Sequence, residues 1–380
     1  MTLAAETIFW TALGCAVYAY VGYPLLLMVL RFIHGAGGGG TDGRGFEPTV
    51  SILIPVFNEE TVIGRKLANV VALDYPRKKL EIIVASDGST DGTASLVESY
   101  SQQDVRFASL PHRQGKAAAL NLGLRSATHE IVVFTDASIV LATDAIRQIV
   151  KPFADPLVGC VSGADRIAGK GGEGLYGRLE LHLRKLESDV GSIVGASGSF
   201  YAQRRELCEP FPEGMAPDFL SVLRVVERGY RAVSTPEAVG IMASASGARD
   251  EFRRKVRTLI RGMTTLFAKK RLLNPLRYGT FAFALFSHKI MRWMVPVMAI
   301  LVFLANLLLL ERPVYQAAMV FQAVLCGLAI CGAVPGCPGR GSFLCRVPLF
   351  FMLANAAILV AWARYLAGER QELWTPTRRT

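Results

Sequence analysis

The sequence predicts an α/β domain with a mostly parallel sheet, inserted between transmembrane α-helices. Three observations carry this expectation. Short β-branched runs, among them 80–86 and 131–134, alternate with helical stretches, the pattern of buried parallel strands joined by right-handed crossovers. Charge-free stretches stand at 7–30, 293–310, 314–339 and 347–363, and none of comparable length lies between Arg31 and Arg292. Mean hydropathy is +0.33 with 51% hydrophobic residues, high for a chain with no bilayer to face.

The flanking segments come first. The opening six residues hold no Lys or Arg, and the apolar run after them is too long for a signal-peptide core. Residues 1–34 are therefore read as an uncleaved anchor. Arg31, His34 and Arg44 follow it and place the central domain in the cytoplasm by the positive-inside rule. Residues 293–366 are expected to hold about three spans, with Arg340 and Arg346 inside. The tail 367–380 conflicts with that count. Arg364, Arg370, Arg378 and Arg379 fall outside if the last segment crosses, so either it does not cross or the charge rule fails there.

Next come linker and domain. Glycine-rich 35–47 reads as a flexible linker. Within 48–248, strands are expected at 49–57, 80–86, 105–110 and 131–134, and helices at 59–73, 94–103, 116–127 and 144–153. A more irregular half follows to about 243. Seven cysteines are scattered without Cys-x-x-Cys or a His cluster, which indicates neither zinc nor a disulfide framework, and reduced thiols are expected. The stretch 163–171 looks like a phosphate loop, but its spacing is one residue too long and Gly171 stands where Ser or Thr is required.

The net charge of +11 is concentrated. Residues 249–292 hold twelve Lys/Arg against Asp250 and Glu251, a net +10. Phe252, Val256, Leu259, Ile260, Met263, Leu266 and Phe267 fall on one side of a helical wheel with Arg253, Arg254, Arg257 and Arg261 on the flank. This is a basic amphipathic helix suited to the membrane plane. The apolar piece 278–287 is too short to span and reads as a second interfacial segment. Anionic lipids and a substrate phosphate are the expected partners, and nucleic acid is not.

Two apolar runs stop at aspartates, Asp87 and Asp136, where the ligand crevice of an open α/β sheet lies. Pro55-Val56-Phe57-Asn58-Glu59-Glu60 reads as a turn with Asn58 as N-cap. Asp87 to Thr93 is a turn-and-cap sequence at a strand end. Lys116 near a helix N-terminus opposes the dipole preference and suits an anion.

Taken in order, PVFNEE, SDGSTDGT, RQGKAAALN, FTDAS, ASGSFYAQRREL and APDFLSVLRVVERGYR resemble family-2 inverting glycosyltransferases of GT-A fold. The likeness covers about 49–265 and extends to membrane-bound polysaccharide synthases and enzymes acting on lipid-linked glycans. It implies that Asp87 binds the nucleotide base, that Pro55 and Glu59 flank the nucleotide, and that Lys116 meets the pyrophosphate. Asp136 would hold Mg²⁺ or Mn²⁺, although Ser138 replaces the second acid of Asp-x-Asp. Asp218 would be the catalytic base, and Gly198 and Ser199 would line the acceptor channel. The synthase motif Gln-x-x-Arg-Trp is altered to Arg254-Lys255-Val256-Arg257-Thr258. Its arginines, with Arg261, would meet the diphosphate, and the lost tryptophan tips the reading from processive synthesis to single-sugar addition.

The resulting expectation is a metal-dependent inverting transfer from a nucleotide-sugar, UDP being the usual nucleotide, to a lipid-linked oligosaccharide or polysaccharide. The site would face the cytoplasm at a bacterial inner membrane. A polymer-extruding processive synthase is the alternative, with a sugar nucleotidyltransferase and a non-catalytic membrane scaffold or transporter behind it.

Overall fold

A computed structural model describes residues 2–34, 45–167, 172–242, 248–337 and 339–370. Helix α1 (Thr2–Val17) passes through a π-turn into α2 (Tyr23–His34). The α/β domain then runs β1 (Val50–Val56), α3 (Glu60–Val71), β2 (Leu80–Ser86), α4 (Thr93–Glu98), β3 (Val105–Ser109), α5 (Lys116–Ser126), β4 (Ile131–Thr135) and β5 (Ile139–Leu141). It continues through α6 (Ala145–Val150), β6 (Val158–Ile167), α7 (Gly172–Val190), β7 (Phe200–Arg204), α8 (Pro217–Glu227) and β8 (Arg231–Met242). Helices α9 (Ala248–Ala268), α10 (Pro275–Leu285), α11 (Arg292–Leu307), α12 (Pro313–Ala333) and α13 (Phe343–Leu366) follow.

The eight strands form one mixed sheet in the order β3-β2-β1-β4-β7-β6-β8-β5. The first four pair in parallel, as their continuous apolar runs require, and β1, β2 and β4 are buried along their whole length. Strand β7 enters antiparallel to β4 and β6, and β6 pairs in parallel with β8 through two irregular steps. One apolar layer under β1, β2 and β4 includes Ile52, Ile54, Ile82, Val84 and Val133. The opposite layer, built on Leu53, Ile83 and Phe134, continues into α8, α9 and α13. That second layer joins the sheet domain to the apolar helices.

Four stretches are long and apolar enough to cross a membrane: Thr2–Ile33, Pro275–Leu307, Pro313–Ala333 and Phe343–Leu366. The second corrects one expectation. Residues 278–287 are not a separate interfacial piece, because α10 continues through a π-turn at Phe286–Met291 into α11. Helix α1 runs antiparallel to the stretch through α11: Tyr18, just past α1, bonds Ser287 in the π-turn before α11 at 2.8 Å, and Phe9 meets Tyr315 at the start of α12 edge-on at 5.1 Å. The cysteine expectation also changes, since Cys331 in the last turn of α12 forms a disulfide with Cys337 just beyond it. Six residues of separation let a short turn bring them together, which spacing without a Cys-x-x-Cys motif does not announce. Most of the expected linker, positions 168–171 of the rejected phosphate loop, and Arg378 and Arg379 lie outside the described residues.

Candidate active site

The strand-end motifs, weak singly, build one structure. Asn58 is not the N-cap of α3; Glu59 takes that place. Asn58 adopts φ +51, its N–H donates to Ser89 Oγ (3.1 Å), and its Oδ1 accepts from the Thr90 N–H (2.9 Å). Asparagine tolerates this left-handed backbone because its short amide finds local partners. The Glu60 N–H donates to the Asp91 carboxylate at 3.1 Å, so the loops after β1 and β2 are stitched together. Gly88 has φ +71, and a Cβ there would stand 2.7 Å from the His112 carbonyl carbon. Glycine is needed for both reasons.

That close approach brings the 112–115 loop over Asp87. Asp87 is fully buried, and its carboxylate accepts from the N–H groups of Gln114 (2.7 Å) and Gly115 (2.9 Å). It does not line the cavity described below. Its carboxylate fixes the loop that launches α5. Lys116, the first residue of that helix, places Nζ 2.5 Å from Asp136 Oδ1. The Asp136 N–H donates to the Ser199 carbonyl at 3.1 Å, tying the end of β4 to the start of β7.

Pro55, Glu59, Lys116, Asp136, Gly198, Ser199 and Asp218 all line one cavity of about 570 Å³. Burial pushes the Glu59 carboxyl up to about 7, with the charges of Asp136 and Asp91 adding to the effect. Two acids that repel across a lysine suit a cation. No group of three or more His, Cys, Asp or Glu side chains converges as a metal cage among the described residues. The donor set, one aspartate with the Ser138 hydroxyl and Glu59 on the same cavity wall, fits a hard divalent ion that draws its remaining oxygens from water and a ligand's phosphates.

Asp218 occupies the first turn of α8 behind Pro217, and its Oδ2 lies 3.6 Å from where a Cβ on Gly198 would stand. A side chain at 198 would press on that carboxylate, so the glycine keeps its face open. The three arginines of α9 separate by partner. Arg254 is bidentate to Glu251 (2.8 and 2.7 Å), and Arg261 donates twice to the Met215 carbonyl (3.0 and 2.5 Å). Both line the cavity while so held: the first is kept by an acid one turn back, and the second secures the loop before Asp218. Arg257 lines the cavity and has no hydrogen-bond or ion-pair partner among the described residues. Burial, with Arg254 alongside, lowers its pKa, the mark of a cation short of counter-charge.

Sequence reasoning passed over three residues here. Lys66 is buried on α3, and its Nζ donates to Thr135 Oγ1 and the Ile139 carbonyl, both at 2.8 Å, so it clamps the two ends of the Asp136 loop. Burial pulls its pKa down to about 7 against the opposing charge of Asp136. Asp165 on β6 accepts from Ser197 Oγ at 2.5 Å, and burial pushes it up to about 6. Arg184 of α7 lines the same cavity, and its Nη1 lies 3.5 Å from Ser162 Oγ behind the wall. The usable signal for Lys66 was a lysine at an apolar position of the α3 pattern. Asp165 and Arg184 carry none without the sheet order.

From Asp218 the cavity continues to Lys289, Trp293 and Ile358 on the apolar helices. A buried polar cluster fastens that end. Glu187 accepts from Tyr23 Oη (2.9 Å) and bonds His288 Nδ1 (2.6 Å), while Glu180 pairs with His288 Nε2 and Arg292, each at 3.0 Å.

Residues 51–211 match the family described as glycosyl transferase family 2. Over 161 residues the chain is 37% identical to the poly-β-1,6-N-acetyl-D-glucosamine synthase of Staphylococcus aureus and 32% to that of Staphylococcus epidermidis. Each match takes in 40% of this chain and 38% of the relative, so the chain spans well under half the length of these curated relatives. A solved mannosyltransferase from Pyrobaculum calidifontis, in complex with GDP-Man and Mn²⁺, is similar over 96% of this chain and 100% of its own. Its TM-score is 0.74 at 26% identity, so the likeness includes the flanking helices as well as the sheet domain. Residues 51–211 thus match glycosyl transferase family 2, and the α/β domain that holds them, of GT-A-like fold, is set between apolar helices.

Proposed function

We propose that this protein is a membrane-bound inverting glycosyltransferase that moves one sugar from a nucleoside-diphosphate sugar to a lipid-linked glycan acceptor. The observation that carries it is the single cavity running from Lys116 and Asp136, past Asp218, to the apolar helices at Trp293 and Ile358. A donor diphosphate suits the first end and a lipid-borne acceptor the second. The mannosyltransferase with GDP-Man and Mn²⁺ supports the donor class and the whole-chain layout. The altered 254–258 motif favours single addition over the polymer synthesis named for the staphylococcal relatives.

Inversion is one in-line displacement: the acceptor oxygen bonds the anomeric carbon as the bond to the diphosphate oxygen breaks on the opposite face. Asp218 takes the acceptor's hydroxyl proton, a role worth roughly 10²–10⁴-fold in rate. Lys116 and Arg257 offset charge on the departing diphosphate. Asp136 would hold Mg²⁺ or Mn²⁺, which when bound supplies Lewis-acid neutralisation of the same oxygens. Asp87 acts indirectly, through the loop it fixes, and Gly198 with Ser199 leaves room for the acceptor beside Asp218.

The test combines membranes carrying the protein with radiolabelled UDP- and GDP-sugars and sizes the lipid-linked and polymeric products. One added sugar on a lipid fraction is expected, and ladders of polymer would favour the synthase reading. Asp218→Asn should abolish transfer while nucleotide binding, followed by calorimetry, stays intact. Undiminished turnover in that variant would remove Asp218 from the mechanism.

A further inference from the structure

The structure assigns α13 to the surface of the bilayer on the domain's side: it lies along the lipid headgroup boundary and does not cross. This inference rests on reading the other apolar helices as membrane-embedded. Length and composition alone allow Phe343–Leu366 to span, but along its length it contacts α9 and the parts of the other apolar helices that adjoin the domain, near Tyr20 and Trp293. Lys255 of α9 lies 3.9 Å from the Phe350 ring centroid, and Phe351 packs against Tyr20 at 5.7 Å. Further along, Trp362 Nε1 donates to the Trp293 carbonyl at 3.0 Å, and Phe267 of α9 stacks on Tyr365 at 5.6 Å. Just past the helix, the Arg370 Cβ comes within 4.0 Å of where a Cβ on Gly214 would stand, on the loop leading to Asp218.

Helix α13 thus runs parallel to α9, and α9 is bonded to that loop through Arg261 and Thr265. A crossing helix would carry its C-terminus to the level of the 308–312 turn, where Arg312 pairs with Glu6. Instead the chain returns to the sheet domain. The occupant of the outer face follows from its chemistry. Met352, Ala356, Leu359, Ala363 and Leu366 recur at helical spacing and are exposed, opposite the buried Ala357, Ile358 and Ala361. At its start α13 packs on α12, whose Gly332 approaches Cys345 and Leu349 closely. Arg346 near the start and Arg364 and Arg370 near the end are placed for anionic headgroups. Only a leaflet offers apolar chains beneath a negative surface.

Cysteines added one at a time, Gln102→Cys in the domain, Glu311→Cys in the 308–312 turn and Thr380→Cys in the tail, test this in full-length protein. Each is labelled with a membrane-impermeant maleimide in right-side-out and inverted vesicles, against the parent chain as background. Thr380→Cys should label from the same side as Gln102→Cys and opposite to Glu311→Cys. Labelling of the tail from the Glu311 side would overturn the assignment. If Gln102→Cys and Glu311→Cys label from one side, the membrane reading itself fails instead. A bimane on Leu359→Cys should be quenched more by shallow than by deep lipid-borne spin labels; the reverse would place the stripe in the bilayer centre and overturn the proposal.

Discussion

At the residue scale, the cavity's electrostatics centre on Asp136 and two neighbours with displaced pKa values. Glu59 is pushed up to about 7, so its protonated form is the one the fold prefers. The stability it contributes is present below about pH 4.5 and is lost as pH rises through 7. A divalent cation at Asp136 reverses that preference by favouring the Glu59 carboxylate. Mn²⁺ affinity, measured by calorimetry on the purified protein, should therefore rise between pH 6 and pH 8 with proton release. Glu59→Gln should flatten the dependence; an unchanged slope would separate Glu59 from the metal. Lys66 acts on the same loop from beneath. Lys66→Met removes both hydrogen bonds that bracket residues 136–138, and donor affinity should fall about tenfold, the ~1.4 kcal/mol of such contacts. Equal affinity in calorimetric titrations with a nucleoside diphosphate and Mn²⁺ would assign Lys66 a purely structural role.

At the element scale, the loop from Met215 to Asp218 depends on α9. Arg261 donates twice to the Met215 carbonyl, and Thr265 Oγ1 accepts from the Ala216 N–H at 2.9 Å. Burial lowers the Arg261 pKa while the Asp218 charge opposes the shift, so this guanidinium is costly to bury and is held by its carbonyl. Arg261→Met should cost about 1.5–3 kcal/mol of stability and lower kcat with little change in donor KM, read from Tm and steady-state kinetics. A rise in donor KM alone would return Arg261 to the diphosphate. Elements and partners differ in how far the sequence reveals them. Strands β1, β2 and β4 were legible because each is a continuous apolar run buried on both faces, whose identity depends on no partner. The half beyond β5 was not, since β6 and β8 pair through irregular steps and β7 reverses direction. The aspartates stand at the strand ends where sequence places them, but that the Asp87 carboxylate holds the 112–115 loop was not legible, since its partners are backbone N–H groups of a distant segment. All three arginines of α9 line the cavity, and which of them is also tied to Glu251 or to Met215 depends on local contacts that the spacing does not encode.

At the scale of the whole molecule, the sheet domain and the apolar helices act together only if their junction is rigid, since the cavity is walled by both. The junction is the polar cluster of α7 with Tyr23, His288 and Arg292. Burial alone would raise the Glu180 carboxyl; its bond to His288 and the charges of Arg292 and Arg184 outweigh that and hold it well below the carboxylate range. A carboxyl shifted down contributes stability that is present above about pH 4.5 and lost as pH falls through the shifted value, so the junction should weaken on the acid side. Glu187 is the sharper test, because three donors from separate elements converge on it: Tyr23 Oη, His288 and the Val194 N–H at 3.1 Å. Glu187→Ala strands all three in a buried site, which should cost about 3–5 kcal/mol, while Tyr23→Phe removes one hydrogen bond and should cost about 1 kcal/mol. If the cluster is what couples the two parts, thermal unfolding of Glu187→Ala in detergent should split into two transitions where the parent shows one. Transfer activity should then fall before the sheet domain loses its nucleotide affinity. A single transition at the parent's midpoint would mean that the apolar contacts of α9 and α13 alone hold the junction together.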